Sequence, residues 1–248
     1  MTEKSEIIRL YKKLGETPLE CIYRFKESHQ EYGQTKMTYL GRLDPMAEGL
    51  LLVLIGSVKE KENYLGMDKA YEFEVLWSLS TDTHDVLGLV SETGKTPERL
   101  EVKIPGLLKK ILDKKTQSFP LFSSKVFKGN YLFAREKPVE ELYIPEKGIK
   151  VFDIKHIHTR GVKGEEILQN ISERLDLVKG DFRQEEILRE WRKTMKGRER
   201  DQFLISKFSA DVSSGTYIRG LAQDMGKIIG TPALAFTIKR TRIGEYYL

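Results

Sequence analysis

Cysteine is almost absent from this sequence of 248 residues, and long apolar runs are missing altogether. The single cysteine, Cys21, cannot form an intramolecular disulfide, and no His or carboxylate shows the spacing of a metal site. The longest apolar run, residues 50–55, is far shorter than the roughly 20 residues that a membrane-spanning helix needs. The first twenty residues mix charged and apolar side chains, unlike an export signal. These absences predict a cytoplasmic protein without a metal ion or a membrane segment.

Linkers, low-complexity tails and internal repeats are also missing, because no window is dominated by Gly, Pro or Ser and no period recurs. A hydrophobic content of 40% is enough for one substantial core. The 42 Lys and Arg residues only slightly outnumber the 37 Asp and Glu residues, which suits a polyanionic partner without identifying one. We therefore expect one compact domain over residues 1–248.

Local patterns predict a mixture of strands and helices. Thr17, Pro18 and Glu20 form a helix start, with a capping box between Thr17 and Glu20. Residues 71–77 alternate apolar with mostly acidic side chains, which is typical of a half-buried strand. Further strands are predicted at 7–11, 50–55, 149–158 and 203–212, and helices at 165–178, 184–195 and 217–229.

The segment at about 160–200 is heavily charged and contains two of these amphipathic helices. We interpret it as a charged helical insertion that leaves the sheet as a surface excursion. Its Arg and Lys residues are explained most simply as a solvated helix face.

Glycine and proline break the chain around Asp44, just before the apolar strand at 50–55. Gly41, Pro45 and Gly49 surround the carboxylate and hold it at the mouth of a structured element. On local chemistry alone an ordinary Asp-Pro turn is the favoured explanation.

The same stretch, GRLDPMAEGLLLVLIG, resembles the motif around the catalytic Asp of the TruB-type tRNA pseudouridine synthases. The resemblance implies that Asp44 attacks the target nucleotide and that Arg42 contacts the substrate. Tyr39 stands where bacterial members typically have His. Either ring can stack on a base, so we expect Tyr39 to remain a substrate contact.

A second match begins at Lys69-Ala70-Tyr71 and continues through residues 79–88. It resembles the family's Lys-x-Tyr element and the Thr-Asp-Thr loop that follows it. The resemblance places Lys69 at the substrate, Tyr71 against the extracted uracil, and Asp82 in the rearranged loop. As a strand residue, Tyr71 is equally well explained by packing in the core.

A third match, at residues 116–137, resembles a family element that closes over RNA. It implies that Lys125, Lys128 and Arg135 contact phosphates. Phe119 and Phe122 in the same element can stack on bases, but packing is the simpler explanation.

A fourth match, at residues 213–226, resembles the family's Ser-x-Gly-Thr-Tyr-Ile-Arg element. The helix dipole disfavours a cation in a first turn, so a buried carboxylate partner would explain the position of Arg219. The resemblance implies that this partner is Asp44. It also implies that Tyr217 supports the pocket and that Leu221 forms an apolar wall, although Leu221 suits the core as well.

The four matches follow one another in family order and imply an α+β pseudouridine synthase fold, with a mostly antiparallel mixed sheet flanked by helices and RNA-binding loops. They imply a monomeric enzyme that converts the uridine at position 55 of the tRNA T-arm to pseudouridine without a cofactor. The catalytic residues would be Asp44, Tyr71 and Arg219. The chain ends soon after residue 240, so we expect no C-terminal PUA-like domain.

Other functions remain open on the sequence. A synthase acting on another RNA uridine, or a subunit directed by a guide RNA, would share the chemistry. An RNA-binding or tRNA-folding protein with weak or absent catalysis would not need Asp44. A glycosidase-like hydrolase would need a second carboxylate, and only Glu48 lies close in sequence.

Overall fold

The computed structural model describes residues 6–56, 61–62, 64–120, 122, 126–127, 130–131 and 144–248, which form an α+β fold. The strands are β1 (Glu6–Lys12), β2 (Met37–Tyr39), β3 (Ala47–Ile55), β4 (Lys69–Trp77), β5 (Leu79–Thr81), β6 (Val90–Thr93), β7 (Thr116–Ser118), β8 (Val126–Phe127), β9 (Asn130–Tyr131), β10 (Glu146–Gly148), β11 (Val151–Lys163), β12 (Gln202–Val212), β13 (Ala233–Ile243) and β14 (Tyr246–Tyr247). The helices are α1 (Pro18–Ser28), α2 (Leu100–Leu112), α3 (Gly164–Asp176), α4 (Gln184–Met195) and α5 (Ile218–Ile229).

An eight-stranded sheet organises the protein. Six strands follow the order β1-β3-β13-β4-β12-β11, while β2 pairs with β3 and β14 pairs with β13. The pairs are antiparallel except for β3 and β13, which run parallel. The predicted mostly antiparallel mixed sheet is therefore confirmed.

Short-range sequence signals account for the elements that lead into the sheet. The Thr17 hydroxyl accepts a hydrogen bond from the Glu20 amide at 3.2 Å, and the Glu20 carboxylate accepts one from the Thr17 amide at 2.7 Å. The predicted capping box at the start of α1 is thus present. In β4 the alternating side chains Tyr71, Phe73 and Val75 are buried, as the period-two pattern predicts.

Helices cover both faces of the sheet. Helices α2 and α5 pack on one face, against Phe73, Val75 and Phe208 among others. Helices α3 and α4 pack on the opposite face, against Leu76 and Leu234. The sheet is the central layer between two hydrophobic cores.

The two helices predicted in the charged segment are present, but the pair is more than a surface excursion. Ile187, Trp191 and Met195 of α4 are fully buried, and Ile167 and Ile171 of α3 join them. Their spacing of four residues places them on one helix face, which packs on the sheet while the charged faces point outward. No helix within the described ranges is long and apolar enough to cross a membrane.

Candidate active site

Asp44 lies at the turn that enters β3, on the wall of a cavity of about 540 Å³. The cavity brings together residues from distant parts of the chain. Of the predicted site residues, Tyr39, Arg42, Asp44, Lys69, Tyr71, Tyr217 and Arg219 all line it.

Arg219 holds the carboxylate through a direct ion pair. Its Nε atom donates to Asp44 Oδ2 at 2.8 Å, while Nη1 donates to the Thr83 carbonyl at 2.9 Å and Nη2 to the Phe122 carbonyl at 2.8 Å. The Arg219 side chain is only 4% exposed, whereas the Asp44 side chain is 38% exposed. Burial disfavours the charged guanidinium, but Asp44 and Asp85 outweigh this effect and raise the pKa of Arg219. The contact expected for an Arg in the first turn of α5 is therefore present, and it aims the carboxylate at the cavity.

Two buried cations fix the backbone on either side of Asp44. The Lys12 Nζ atom donates to the carbonyls of Lys13, Glu16 and Pro45 at 3.0, 2.6 and 3.5 Å. Burial lowers the pKa of Lys12 to about 8 despite the nearby charge of Glu16. The loop at Asp44 is thereby tied to the end of β1.

Arg240 of β13 makes the corresponding contacts from the other side. Its Nε and Nη1 atoms donate to the carbonyls of Leu50 and Arg42 at 2.8 and 2.9 Å. Like Lys12 it is fully buried. Sequence reasoning missed both residues, because an isolated Lys or Arg in a strand carries no local signal of burial.

Tyr71 belongs to the hydrophobic core and also lines the cavity, so its two predicted environments are both present. Burial raises the pKa of its hydroxyl, with a further contribution from Asp44, and the neighbouring Arg240 only partly offsets the effect. The phenol is therefore uncharged at neutral pH, which suits an aromatic support for a base.

Several cations lie on the wall of the cavity. Lys61, Lys69 and Lys147 line it together with Arg42. The Lys69 ammonium donates to the Met67 carbonyl at 2.7 Å and lies 3.3 Å from the Ser214 hydroxyl. Burial, with the charges of Arg240 and Lys147, lowers the pKa of Lys69 to about 8. Such a wall favours an anionic ligand beside Asp44.

The Thr-Asp-Thr loop lies behind Arg219, outside the cavity lining. Asp82 accepts a hydrogen bond from the Leu89 amide at 2.9 Å and pairs with Arg183 at 2.9 Å. Asp85 is buried and accepts from Thr83 Oγ1 at 2.7 Å. Burial raises the pKa of Asp85 to about 6, although Arg219 opposes this shift. Asp82 thus ties the loop together and is not among the residues that line the cavity.

The predicted apolar wall, Leu221, does not line the cavity. Ile238 of β13 lines the cavity as an apolar wall instead. Leu221 is fully buried in the core between α5 and the sheet.

Three predicted phosphate contacts, Lys125, Lys128 and Arg135, lie outside the described residues. In the part of the chain that the structure describes, no group of three or more His, Cys, Asp or Glu residues is placed to hold a metal ion.

Solved structures define the class of fold. A Cbf5-Nop10-Gar1 complex contains a chain that matches 97% of this chain and 49% of its own length, with a TM-score of 0.57 and 20% identity. An H/ACA RNP bound to a substrate RNA containing 2′-deoxyuridine gives a TM-score of 0.52 at 18% identity, over 97% of this chain and 48% of the other. These similarities establish a shared fold.

Sequence comparison then identifies the family. Residues 29–174 match the TruB family pseudouridylate synthase (N terminal domain), and the chain belongs to this family. The tRNA pseudouridine synthase B of Caldanaerobacter subterraneus subsp. tengcongensis is 27% identical over 216 residues, 87% of this chain and 61% of that protein. Its counterpart in Aquifex aeolicus is also 27% identical, over 235 residues, 94% of this chain and 67% of the relative. The chain thus spans about three fifths to two thirds of the length of these relatives.

Proposed function

We propose that the protein isomerises uridine to pseudouridine in tRNA, with the T-arm uridine at position 55 as its target and Asp44 as the attacking carboxylate. The observation that carries the proposal is the ion pair of Asp44 with the buried Arg219, beside a cavity with a cationic wall. Membership of the TruB family supports the same reaction.

The reaction breaks the bond from N1 to C1′, turns the uracil and joins C5 to C1′, while the C5 proton leaves and N1 gains one. It neither oxidises nor reduces the nucleotide, so it requires no cofactor. A positioned carboxylate, a pocket that retains the detached base and a means of extracting the nucleotide are sufficient. Because the Asp44 carboxylate is partly exposed on the cavity wall, it can reach the ribose of an extracted nucleotide.

The other cavity residues have corresponding roles in this proposal. Tyr71 supports the detached uracil, and the wall formed by Arg42 and Lys69 binds the phosphates around it. Tyr39 and Tyr217 provide aromatic edges at the same cavity, as stacking on an extracted base requires. Residues 1–248 then act as one catalytic domain, in the cytoplasm where tRNA is found.

The experiment that tests the function uses a tRNA transcript whose uridines carry tritium at C5. Purified protein should release tritium in proportion to the pseudouridine formed, and a transcript with cytidine at position 55 should release none. Asp44→Asn should abolish release while tRNA binding persists.

Glu48→Gln is the matched control, because Glu48 is a nearby carboxylate that accepts a hydrogen bond from the Tyr11 hydroxyl at 2.7 Å. This variant should release tritium at the wild-type rate. If the wild-type protein binds tRNA without releasing tritium from any transcript, an RNA-binding protein without catalysis replaces the proposal. Loss of activity in Glu48→Gln, with free base formed by the wild type, would instead favour a hydrolase.

A further inference from the structure

The turn that starts α4 carries Arg183, whose side chain reaches the loops behind the active site and adds a polar contact to the apolar core that α4 shares with residues 86 and 87. Its Nη1 atom lies 2.9 Å from Asp82 Oδ2, and its guanidinium carbon lies 4.6 Å from the centroid of the Phe122 ring. Arg183 comes from the charged segment between β11 and β12, whereas Asp82 and Phe122 belong to the predicted family motifs. One cation thus connects the α3–α4 pair to two motif segments.

These two segments supply the carbonyls that accept hydrogen bonds from the terminal nitrogens of Arg219. Nη1 of Arg219 donates to the carbonyl of Thr83, which follows Asp82, and Nη2 donates to the carbonyl of Phe122 itself. The third nitrogen, Nε, donates to Asp44. A shift of either segment therefore changes the orientation of the guanidinium and with it the aim of the carboxylate.

Asp82 links Arg183 to the backbone of its own loop. Its second oxygen, Oδ1, accepts a hydrogen bond from the Leu89 amide at 2.9 Å, and its own amide donates to the Leu89 carbonyl at 3.0 Å. The carboxylate is thus shared between Arg183 outside the loop and the Leu89 backbone inside it.

The turn that carries Arg183 is held in place by its own contacts. Arg183 has a φ of +63°, a left-handed backbone conformation that residues other than glycine rarely adopt. The Gln184 amide group donates to the carbonyls of Val178 and Gly180 at 3.1 and 2.7 Å, and Asp181 accepts from the Arg183 amide at 3.1 Å. Behind the turn, α4 is anchored by buried Ile187. A strained residue in a turn held by hydrogen bonds is the arrangement expected where a side chain must point in one direction.

We propose that Arg183 is a positioning residue for the reaction: from the α3–α4 pair it fixes the Asp82 loop and Phe122, and through their carbonyls it orients Arg219 and Asp44. This inference rests on the proposed function for its kinetic consequence, but the positioning itself does not require catalysis. The alternative role for a partly exposed guanidinium at this place is a direct contact with an RNA phosphate.

The kinetic test compares Arg183→Ala and Arg183→Lys with Arg189→Ala, a matched control at an exposed position of the same helix. In single-turnover reactions at saturating tRNA, Arg183→Ala should lower the rate by about ten- to a hundredfold, as misplacement of catalytic groups does. Its Kd for tRNA should stay within about twofold of wild type, with an unchanged salt dependence. Arg183→Lys keeps the charge facing Asp82 and should recover part of the rate, and Arg189→Ala should match wild type.

A weaker Kd with a shallower salt dependence and an unchanged saturating rate would overturn the proposal in favour of a phosphate contact. In a double-mutant cycle, Arg183→Ala combined with Asp82→Asn should lose little more than the more impaired single variant. Additive losses would show that the two residues act separately.

A second readout is independent of activity. Hydrogen exchange of the Leu89 amide, and of the Arg219 Nε proton followed by ¹⁵N NMR, should accelerate in Arg183→Ala but not in Arg189→Ala. Unchanged exchange at both sites would overturn the positioning role even if the rate fell. If the wild-type protein released no tritium, the proposed function would fail, and the exchange measurements would still decide whether Arg183 holds these segments.

Discussion

The Nε atom of Arg219 lies 2.8 Å from a carboxylate oxygen of Asp44, although 175 positions of sequence separate the two residues. The same guanidinium bonds two backbone carbonyls, so all of its nitrogens have acceptors. The cation is buried while its carboxylate partner remains partly open to the cavity. This asymmetry leaves the carboxylate able to contact a molecule in the cavity without losing its counter-charge.

The Arg219→Lys variant should therefore lose most of its activity and some of its stability, even though it keeps the positive charge. One ammonium on a flexible stem cannot reproduce the planar fork that bonds Asp44 and the two carbonyls. We expect the single-turnover rate to fall by about a hundredfold or more, and the free energy of unfolding to fall by roughly 1–3 kcal/mol because buried acceptors lose their donors. Tritium release and urea unfolding measure the two effects, with Arg192→Lys on the exposed side of α4 as control. A rate within twofold of wild type would show that charge alone is sufficient.

Gly49→Ala should destabilise the protein for two separable reasons. Gly49 has a φ of +109°, and a Cβ atom there would lie 2.3 Å from the backbone oxygen of Arg240. We expect a loss of roughly 2–4 kcal/mol in the free energy of unfolding. Gly197→Ala is the matched control, because Gly197 has a φ of +78° but open space around its Cβ position. That variant should lose only about 1 kcal/mol, and equal losses in the two variants would argue against the close approach of β3 and β13.

Asp85→Asn should change how stability depends on pH. Burial raises the pKa of Asp85 from 3.8 to about 6, so in this interval the folded protein holds a proton that the unfolded chain releases. The group therefore stabilises the fold fully below about pH 4, and this contribution is lost as the pH rises through about 6. The unfolding free energy of wild type relative to Asp85→Asn should fall by on the order of 2 kcal/mol between pH 4 and 7.

The Asn side chain keeps the oxygen that accepts from Thr83 and Leu87, which makes it a suitable isostere. Urea unfolding at a series of pH values measures the difference between the two proteins. Parallel stability curves over this pH range would contradict an elevated pKa at Asp85.

Lys69→Arg should remove a pH dependence from tRNA binding. The pKa of Lys69 is lowered to about 8 in the free protein, so the wild type loses a cation from the cavity wall as the pH rises from 7 to 9. Affinity for tRNA should fall by about fivefold in this range if one ionic contact of roughly 1 kcal/mol is lost. Arginine stays charged, so Lys69→Arg should bind almost equally at both pH values. Filter binding or fluorescence anisotropy measures the effect, and identical pH profiles would exclude Lys69 as the titrating group.

Sequence patterns predicted the elements whose signals are local. The capping box of Thr17 and Glu20 and the alternation in β4 depend on neighbouring residues, and both are present. The burial of Arg219 was also predictable, because a cation in a first helical turn needs a compensating anion. The motif match supplied the identity of that anion, which no spacing rule could provide.

Helix α2 and strand β13 were not predicted from the sequence, because their local signals are weak or contradictory. Helix α2 begins after a left-handed Arg99 and contains Pro105, so neither a capping residue nor an uninterrupted helical pattern marks it. Strand β13 carries Lys239 and Arg240 in its second half, and two adjacent cations are typical of the protein surface. In the structure, however, Arg240 is buried and donates to the carbonyls of Leu50 and Arg42. Because β13 was not predicted, Ile238 was not recognised as part of the cavity, and the family resemblance wrongly implied that Leu221 forms the apolar wall.

The parallel pairing of β13 with β3 has a consequence for when the surroundings of Asp44 are assembled during synthesis. Asp44 and β3 are made early, whereas the strand that completes their surroundings spans Ala233–Ile243 and can dock only after the intervening strands and helices have been made. Contacts between such distant segments form late and slowly in folding, because the loop between them must be closed first. A nascent chain therefore carries Asp44 without its ion-pair partner Arg219 until α5 has been made, and without the neighbouring strand until β13 has been made.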